Sequence, residues 1–218
     1  MLKQGKTTSV IQDKATPGLA ATNMTGTGPG GLSVREFAQW YRERELEQWQ
    51  ALDLAAIEKI AKALETAEKH GQQVFVMGNG GSAATASHLA CDWSKTAERK
   101  GKRMLRCMSL NDNVAFMTAV GNDLGYEDLF SRQLENLLDK DDVVVIISGS
   151  GNSPNVLKAA KLAKKRGAVT VGMTGFTGGK LRKMVDICLH INSDQYGVIE
   201  DMHMAAGSIL AFYLKQRR

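Results

Sequence analysis

The spacing of apolar residues along this chain changes near residue 72, and the change separates two kinds of secondary structure. Before that point apolar positions recur every three or four residues. Ser33 followed by Glu36 has the form of a capping box, and Phe37, Trp40 and Tyr41 behind it fall on one helical face. A second stripe, Leu46, Trp49, Leu52, Ala56, Ile57, Ile60, Ala63, Leu64 and Ala67, continues at helical spacing to a stop at Gly71. These side chains read first as packing. A stripe this long on helices outside a sheet also offers a surface to another subunit, because such helices have two apolar surfaces to bury. Residues 1–31 hold two of the three prolines, show no such period, and read as a flexible arm.

From residue 72 onward the apolar residues come instead in short continuous runs: 73–77, 105–108, 143–147, 169–173 and 187–191. Amphipathic segments separate them, Ala83 to Trp93, Pro154 to Arg166, a short one from Lys180, and a closing helix over 198–215. Runs buried on both faces and alternating with helices predict a five-stranded parallel sheet in an α/β fold, with helices on each side. In such sheets ligands bind beyond the carboxyl ends of the strands. The loops at 78–82, 148–153 and 174–179 are therefore expected to converge.

The remaining bulk properties narrow the picture. A chain of 218 residues can build a full core without metals or disulfides. The net charge of +5 is concentrated in residues 98–106 and in the tail Lys215–Arg218. No aromatic residues interleave these clusters, so they read as solvated faces and nucleic acid is not the expected partner. Cys91, Cys107 and Cys188 are widely spaced, which suits reduced thiols in a cytoplasm. The chain has no apolar run of membrane-spanning length and no compact apolar stretch at its start, so a soluble protein with no membrane partner is expected.

The loop Ser148-Gly149-Ser150-Gly151-Asn152-Ser153 carries the clearest chemistry. Pro154 suits the first helical position and Ser153 the N-cap, so the free N–H groups of the following helix open toward the loop. An anion placed there meets hydroxyls, backbone donors and the helix dipole together. There is no Gly-Lys-Ser/Thr loop, and Gly78-Asn79-Gly80-Gly81-Ser82 lacks the dinucleotide spacing. Two Ser/Gly loops at successive strand ends point to a phosphate.

In their order, Gly78-Asn79-Gly80-Gly81-Ser82-Ala83, Val120-Gly121-Asn122-Asp123, Phe130-Ser131-Arg132-Gln133, the serine loop and Gly178-Gly179-Lys180 resemble a sugar isomerase (SIS) domain of the phosphoheptose isomerase branch. The resemblance implies a flavodoxin-like three-layer domain over 72–218, with the helices of 32–71 as an extension at an oligomer interface. It also implies a homotetramer whose neighbours complete each other's sites, and a seven-carbon ketose phosphate as ligand. Asn79, Gly80, Ser82, Asp123, Ser148, Gly149, Ser150 and Ser153 are then the substrate-binding candidates.

Aldose–ketose interconversion needs a base that moves a proton between adjacent carbons, and groups that steady the enediolate oxygens. The resemblance places Asp92 where the family has a catalytic glutamate, Glu200 in place of a glutamine, His203 on a family histidine, and Ser208 where the family's catalytic histidine stands. Asp92, Glu200 and His203 are the catalytic candidates. His88, Asp92, Glu200 and His203 form a donor set that Zn²⁺ or a similar ion could take. Because Ser208 cannot replace an imidazole as acid or base without strong activation, three functions stay open: an isomerase with a rearranged acid–base set, a catalytically silent sugar-phosphate sensor, or a regulatory scaffold.

Overall fold

The computed structural model describes residues 28–217; most of the arm expected over 1–31 lies outside them. Two helices lead, α1 (Val34–Gln50) and α2 (Leu54–His70). The sheet follows with β1 (Gln73–Gly78), α3 (Gly81–Cys91), a π-helical turn (Asp92–Thr96), β2 (Arg106–Ser109), α4 (Val114–Asp123), a 3₁₀ turn (Tyr126–Asp128) and α5 (Ser131–Leu137). It closes with β3 (Val143–Ser148), α6 (Pro154–Lys165), β4 (Val169–Thr174), α7 (Leu181–Met184), β5 (Ile187–His190) and α8 (Tyr196–Gln216). The five strands are parallel in the order β2-β1-β3-β4-β5. This is the flavodoxin-like order, whose direction reverses between β1 and β3.

The two faces of the sheet explain why the strands read as unbroken apolar runs. Val74 and Val76 of β1, with Val143, Val145 and Ile147 of β3, pack beneath α2, α3 and α8. Their sequence neighbours Phe75, Met77, Val144 and Ile146 pack on the other face against α5, α6 and α7. With side chains alternating across the sheet, a strand covered on both sides must be apolar at every position.

Local signals set the helix starts. Ser33 and Glu36 form the expected capping box: the Glu36 N–H donates to Ser33 Oγ (3.3 Å) and the Ser33 N–H to Glu36 Oε2 (2.9 Å). Asp53 Oδ1 caps α2 by accepting from the Ala56 N–H at 2.9 Å. The helix expected from Ala83 to Trp93 begins two residues earlier and widens into the π turn at Asp92. Such insertions accompany functional positions.

Helix α1 buries none of its residues. It touches α8 through Tyr41, whose hydroxyl donates to Asp201 Oδ2 at 2.5 Å; burial, and then this carboxylate, hold the phenol well above its ordinary pKa. Leu46 and Trp49 of α1 stay open to solvent in the single chain, as do Ile209, Phe212 and Tyr213 of α8. On the inner side α8 lies close against α3. Trp93 Nε1 donates to the Gly207 carbonyl at 3.0 Å, and a Cβ at Gly207 would collide with Leu89.

His203 sits at the core of the α8–sheet contact, 1% exposed. Its Nε2 lies 3.3 Å from the Thr174 carbonyl, which also accepts from the Ile191 N–H. A carbonyl can only accept, so Nε2 carries the proton of the neutral ring. Burial is the main cause of a pKa lowered from 6.5 to about 4; the Thr174 carbonyl opposes it weakly and His190 adds to it. The native state therefore refuses a proton that the unfolded chain accepts, so this stability is complete above pH 6.5 and is lost as pH falls through about 4. The loss amounts to about 3 kcal/mol. Urea unfolding of the wild type between pH 7.5 and 4 should lose that much more stability than His203→Gln over the same range; parallel curves would assign the acid sensitivity elsewhere.

Candidate active site

The candidate site begins where β1 and β3 end side by side at the switch point, with Gly78 paired to Ile147. Asn111 holds the end of β1: its Oδ1 accepts from the Gly78 N–H (3.1 Å) and its Nδ2 donates to the Gly78 carbonyl (2.9 Å). Across the seam, Asn79 Nδ2 donates to Asn155 Oδ1 (3.0 Å) and Asn155 Nδ2 donates back to Asn79 Oδ1 (2.8 Å). Tyr126 also donates to Asn79 Oδ1 at 3.0 Å. These bonds tie the glycine loop after β1 to the first turn of α6, directly behind the serine loop after β3.

The serine loop is shaped by its own backbone. The Gly151 N–H is shared between the Ser148 carbonyl and Ser148 Oγ, both at 3.1 Å, and the Asn152 N–H donates to Ser150 Oγ at 3.3 Å. Gly151 has φ +63, and a Cβ there would strike the Gly178 carbonyl, so the loop nests against Gly178–Gly179. Asn152 Oδ1 accepts from the Lys180 N–H (3.1 Å) and the Gly151 carbonyl from the Leu181 N–H (3.0 Å). Ser153 takes the N-cap position ahead of Pro154, as expected, yet its hydroxyl makes no capping bond. That leaves it available to a ligand beside the first turn of α6, where the Val156 N–H is taken by Asn155 Oδ1 at 3.0 Å. Phosphate recognition needs this arrangement of hydroxyls and first-turn N–H groups.

Opposite the serine loop, Gly80 caps α3 with φ +55 and supplies no side chain to its first turn. Ser82 is buried there. The Glu200 carboxylate, from the second turn of α8, lies flat on Gly81, where any Cβ would collide with it. The partial positive charge at a helix N-terminus is the kind that steadies a developing oxyanion.

The remaining candidates lie elsewhere. Asp92 stands eleven residues beyond Gly81, about 16 Å along the helix, so Asp92 and Glu200 do not share a site within one chain. Both Asp92 oxygens are engaged, Oδ2 with His88 Nε2 at 3.2 Å and Oδ1 accepting from Thr96 Oγ1 at 2.9 Å. His88 is half exposed. His203 is buried with Nε2 committed to the Thr174 carbonyl, away from solvent, and Nδ1 has no partner among the described residues. Among the described residues of one chain no three His, Cys, Asp or Glu side chains come together as a metal-holding group, so the expected zinc set of His88, Asp92, Glu200 and His203 does not assemble within a chain. These four do not fit one ion within a chain. Asp123 ends α4 on an exposed surface and accepts from Asn122 Nδ2 at 2.7 Å.

Sequence reasoning passed over several residues of the crevice. Asn155 and Asn111 are amides whose role appears only in their pairing; a buried Asn in a first helical turn was the available signal for the former. Phe176 and Tyr196 also border the serine loop, their rings 4.7 Å apart and edge to face. Among the described residues no helix is long and apolar enough to cross a membrane.

Comparison with known proteins agrees with this arrangement. A model of the SIS domain family matches residues 39–175, more than half of the chain. A phosphoheptose isomerase from Aneurinibacillus thermoaerophilus is 38% identical over 166 residues, spanning 75% of this chain and 82% of the relative. The solved phosphoheptose isomerase of Francisella tularensis superposes with a TM-score of 0.76 at 30% identity, covering 84% of this chain and 97% of that one. That of Neisseria gonorrhoeae gives 0.78 at 26% identity, covering 85% and 100%. With the sheet order, the serine loop and the glycine loop all in place, the chain belongs to the SIS domain family and is a homologue of the phosphoheptose isomerases.

Proposed function

We propose that this protein binds a phosphorylated sugar with its phosphate in the Ser148–Ser153 loop and interconverts the ketose and aldose forms through an enediolate. The carrying observation is the Glu200 carboxylate laid on the first turn of α3, one turn along α8 from Tyr196, which rests on Gly149 of the serine loop. The Asn155 N–H at the start of α6 and the hydroxyls of Ser150 and Ser153 hold the phosphate. Glu200 removes a proton from the carbon next to the ketose carbonyl, and the electrons of that C–H bond form the enediolate. The same carboxylate returns the proton to the former carbonyl carbon, while the hydroxyl proton moves to the other oxygen. The sugar is internally oxidised at one carbon and reduced at its neighbour, so no external electron carrier is needed.

Two further groups complete the reading. His203, buried under α8, positions the end of β4 by its bond to Thr174 and takes no part in proton transfer. The His88–Asp92 pair, far along α3, serves a crevice completed by another copy in a homotetramer. The exposed Leu46, Trp49, Phe212 and Tyr213 provide apolar surface for that assembly. A second reading, the silent sugar-phosphate sensor, is favoured by Ser208, a half-buried hydroxyl on α8 with no proton-transferring partner in the described hydrogen bonds.

Three measurements check these statements. Calorimetry with sedoheptulose 7-phosphate should find Ser150→Ala/Ser153→Ala weaker than wild type by at least about tenfold, because each lost bond to a charged group is worth about 1.5–3 kcal/mol; equal affinity would remove the phosphate from this loop. In deuterated solvent the wild type should place label in the bound ketose phosphate and Glu200→Gln should not, with affinity nearly kept. Binding without label in the wild type selects the sensor. Light scattering at micromolar concentration should give four times the 23.7 kDa chain mass, and a monomer would sink the shared site.

A further inference from the structure

Phe176 is held with φ +48, the left-handed region that bulky residues avoid. Such a conformation persists only where the surroundings dictate it, and it marks functional loops. Here the surroundings are explicit. The Phe176 N–H donates to the Ser193 carbonyl (3.0 Å) and the preceding Gly175 N–H to the Gly149 carbonyl (2.9 Å). The strained turn brings the Phe176 ring edge to face with Tyr196, at 4.7 Å and 70°. Both rings lie over Gly149 of the serine loop, where an added Cβ would be 3.4 Å from Tyr196 and 3.7 Å from Phe176. Phe176 is half-buried behind, whereas Tyr196 remains 48% exposed in front.

The position of Tyr196 on α8 gives this pair a direction. Tyr196 and Glu200 are four residues apart, so they share one face of the helix, about 6 Å from one another along its axis. Tyr196 rests against the serine loop, and Glu200 against the first turn of α3. A ligand with its anionic end in the loop and its reacting carbons at Glu200 must therefore pass the exposed Tyr196 ring. The C–H groups of a sugar chain are apolar, and an aromatic face, with its negative potential, is a suitable surface for them.

We propose that Tyr196, braced by Phe176, is a specificity wall against which the carbon chain of the sugar phosphate packs between its phosphate and its reacting end. The ring distinguishes a phosphorylated sugar of several carbons from bare phosphate, which needs only the loop. This rests on the sugar-phosphate reading given above. Calorimetric titration of wild type, Tyr196→Ala, Tyr196→Phe and Phe176→Gly with sedoheptulose 7-phosphate and, separately, with inorganic phosphate tests it. Tyr196→Ala should bind the sugar phosphate about tenfold more weakly, with Tyr196→Phe restoring most of the affinity. Phe176→Gly, which relieves the backbone and removes the brace, should weaken the sugar phosphate in the same sense. Inorganic phosphate should bind all four proteins alike, which also reports that the loop is folded. Equal weakening of both ligands in Tyr196→Ala, or no change in either, overturns the wall while leaving the sugar-phosphate reading intact. A wild type that binds neither ligand overturns that reading and the wall with it.

Discussion

The close approach of α3 to α8 is the constraint on which the rest of this molecule depends. At one end Gly81 admits the Glu200 carboxylate; at the other Gly207 admits Leu89 and offers its carbonyl to Trp93. The two contacts are spaced alike on both helices, so α3 and α8 run parallel and in register. A side chain at either glycine would push the helices apart, and with them the carboxylate and the first turn it rests on. Since both helices cover the same face of the sheet, the placement of the site and the packing of the core are one problem, solved by two missing Cβ atoms.

Electrostatics in the crevice follow from this packing. The first turns of α3 and α6 open beside each other because β1 and β3 are neighbours that feed helices on opposite faces. Glu200 answers one of them from within the chain. At the other, Pro154 has no N–H and the Val156 N–H is taken by Asn155 Oδ1 at 3.0 Å, while the Asn155 N–H and the Ser153 hydroxyl make no capping bond. An anionic ligand is thus directed to α6, and the fixed negative charge stands on the far side of the same crevice.

The sheet was readable because its chemistry is repetitive: Val143 to Ile147 has no polar position, and only a strand covered on both faces requires that. The serine loop was readable because Ser153-Pro154 is a local signal. Where the reading stopped, the cause was distance in sequence. Asp92 and Glu200 were joined by resemblance, but Asp92 is carried far from Gly81 by a helix that continues unbroken into a π turn. Within one chain the four members of the expected zinc set are kept apart for the same reason, compounded by the burial of His203 beneath α8. Asn79 meets Asn155, and Phe176 meets Tyr196, only once the loops are assembled. No local pattern marks Phe176 for a left-handed conformation that would ordinarily call for glycine.

Helix α1 has a different standing from every other long element of the fold. It is seventeen residues long, properly capped at its start, and buries nothing. Its hold on the rest of the chain is the half-buried Tyr41 with its bond to Asp201, so in a lone chain it is only weakly coupled to the sheet. In the homotetramer proposed above, a neighbouring copy seated on Leu46 and Trp49 would also set how long the amides of α1 stay protected from solvent. The order of this helix would then be a property of protein concentration, while that of the sheet remains a property of the chain.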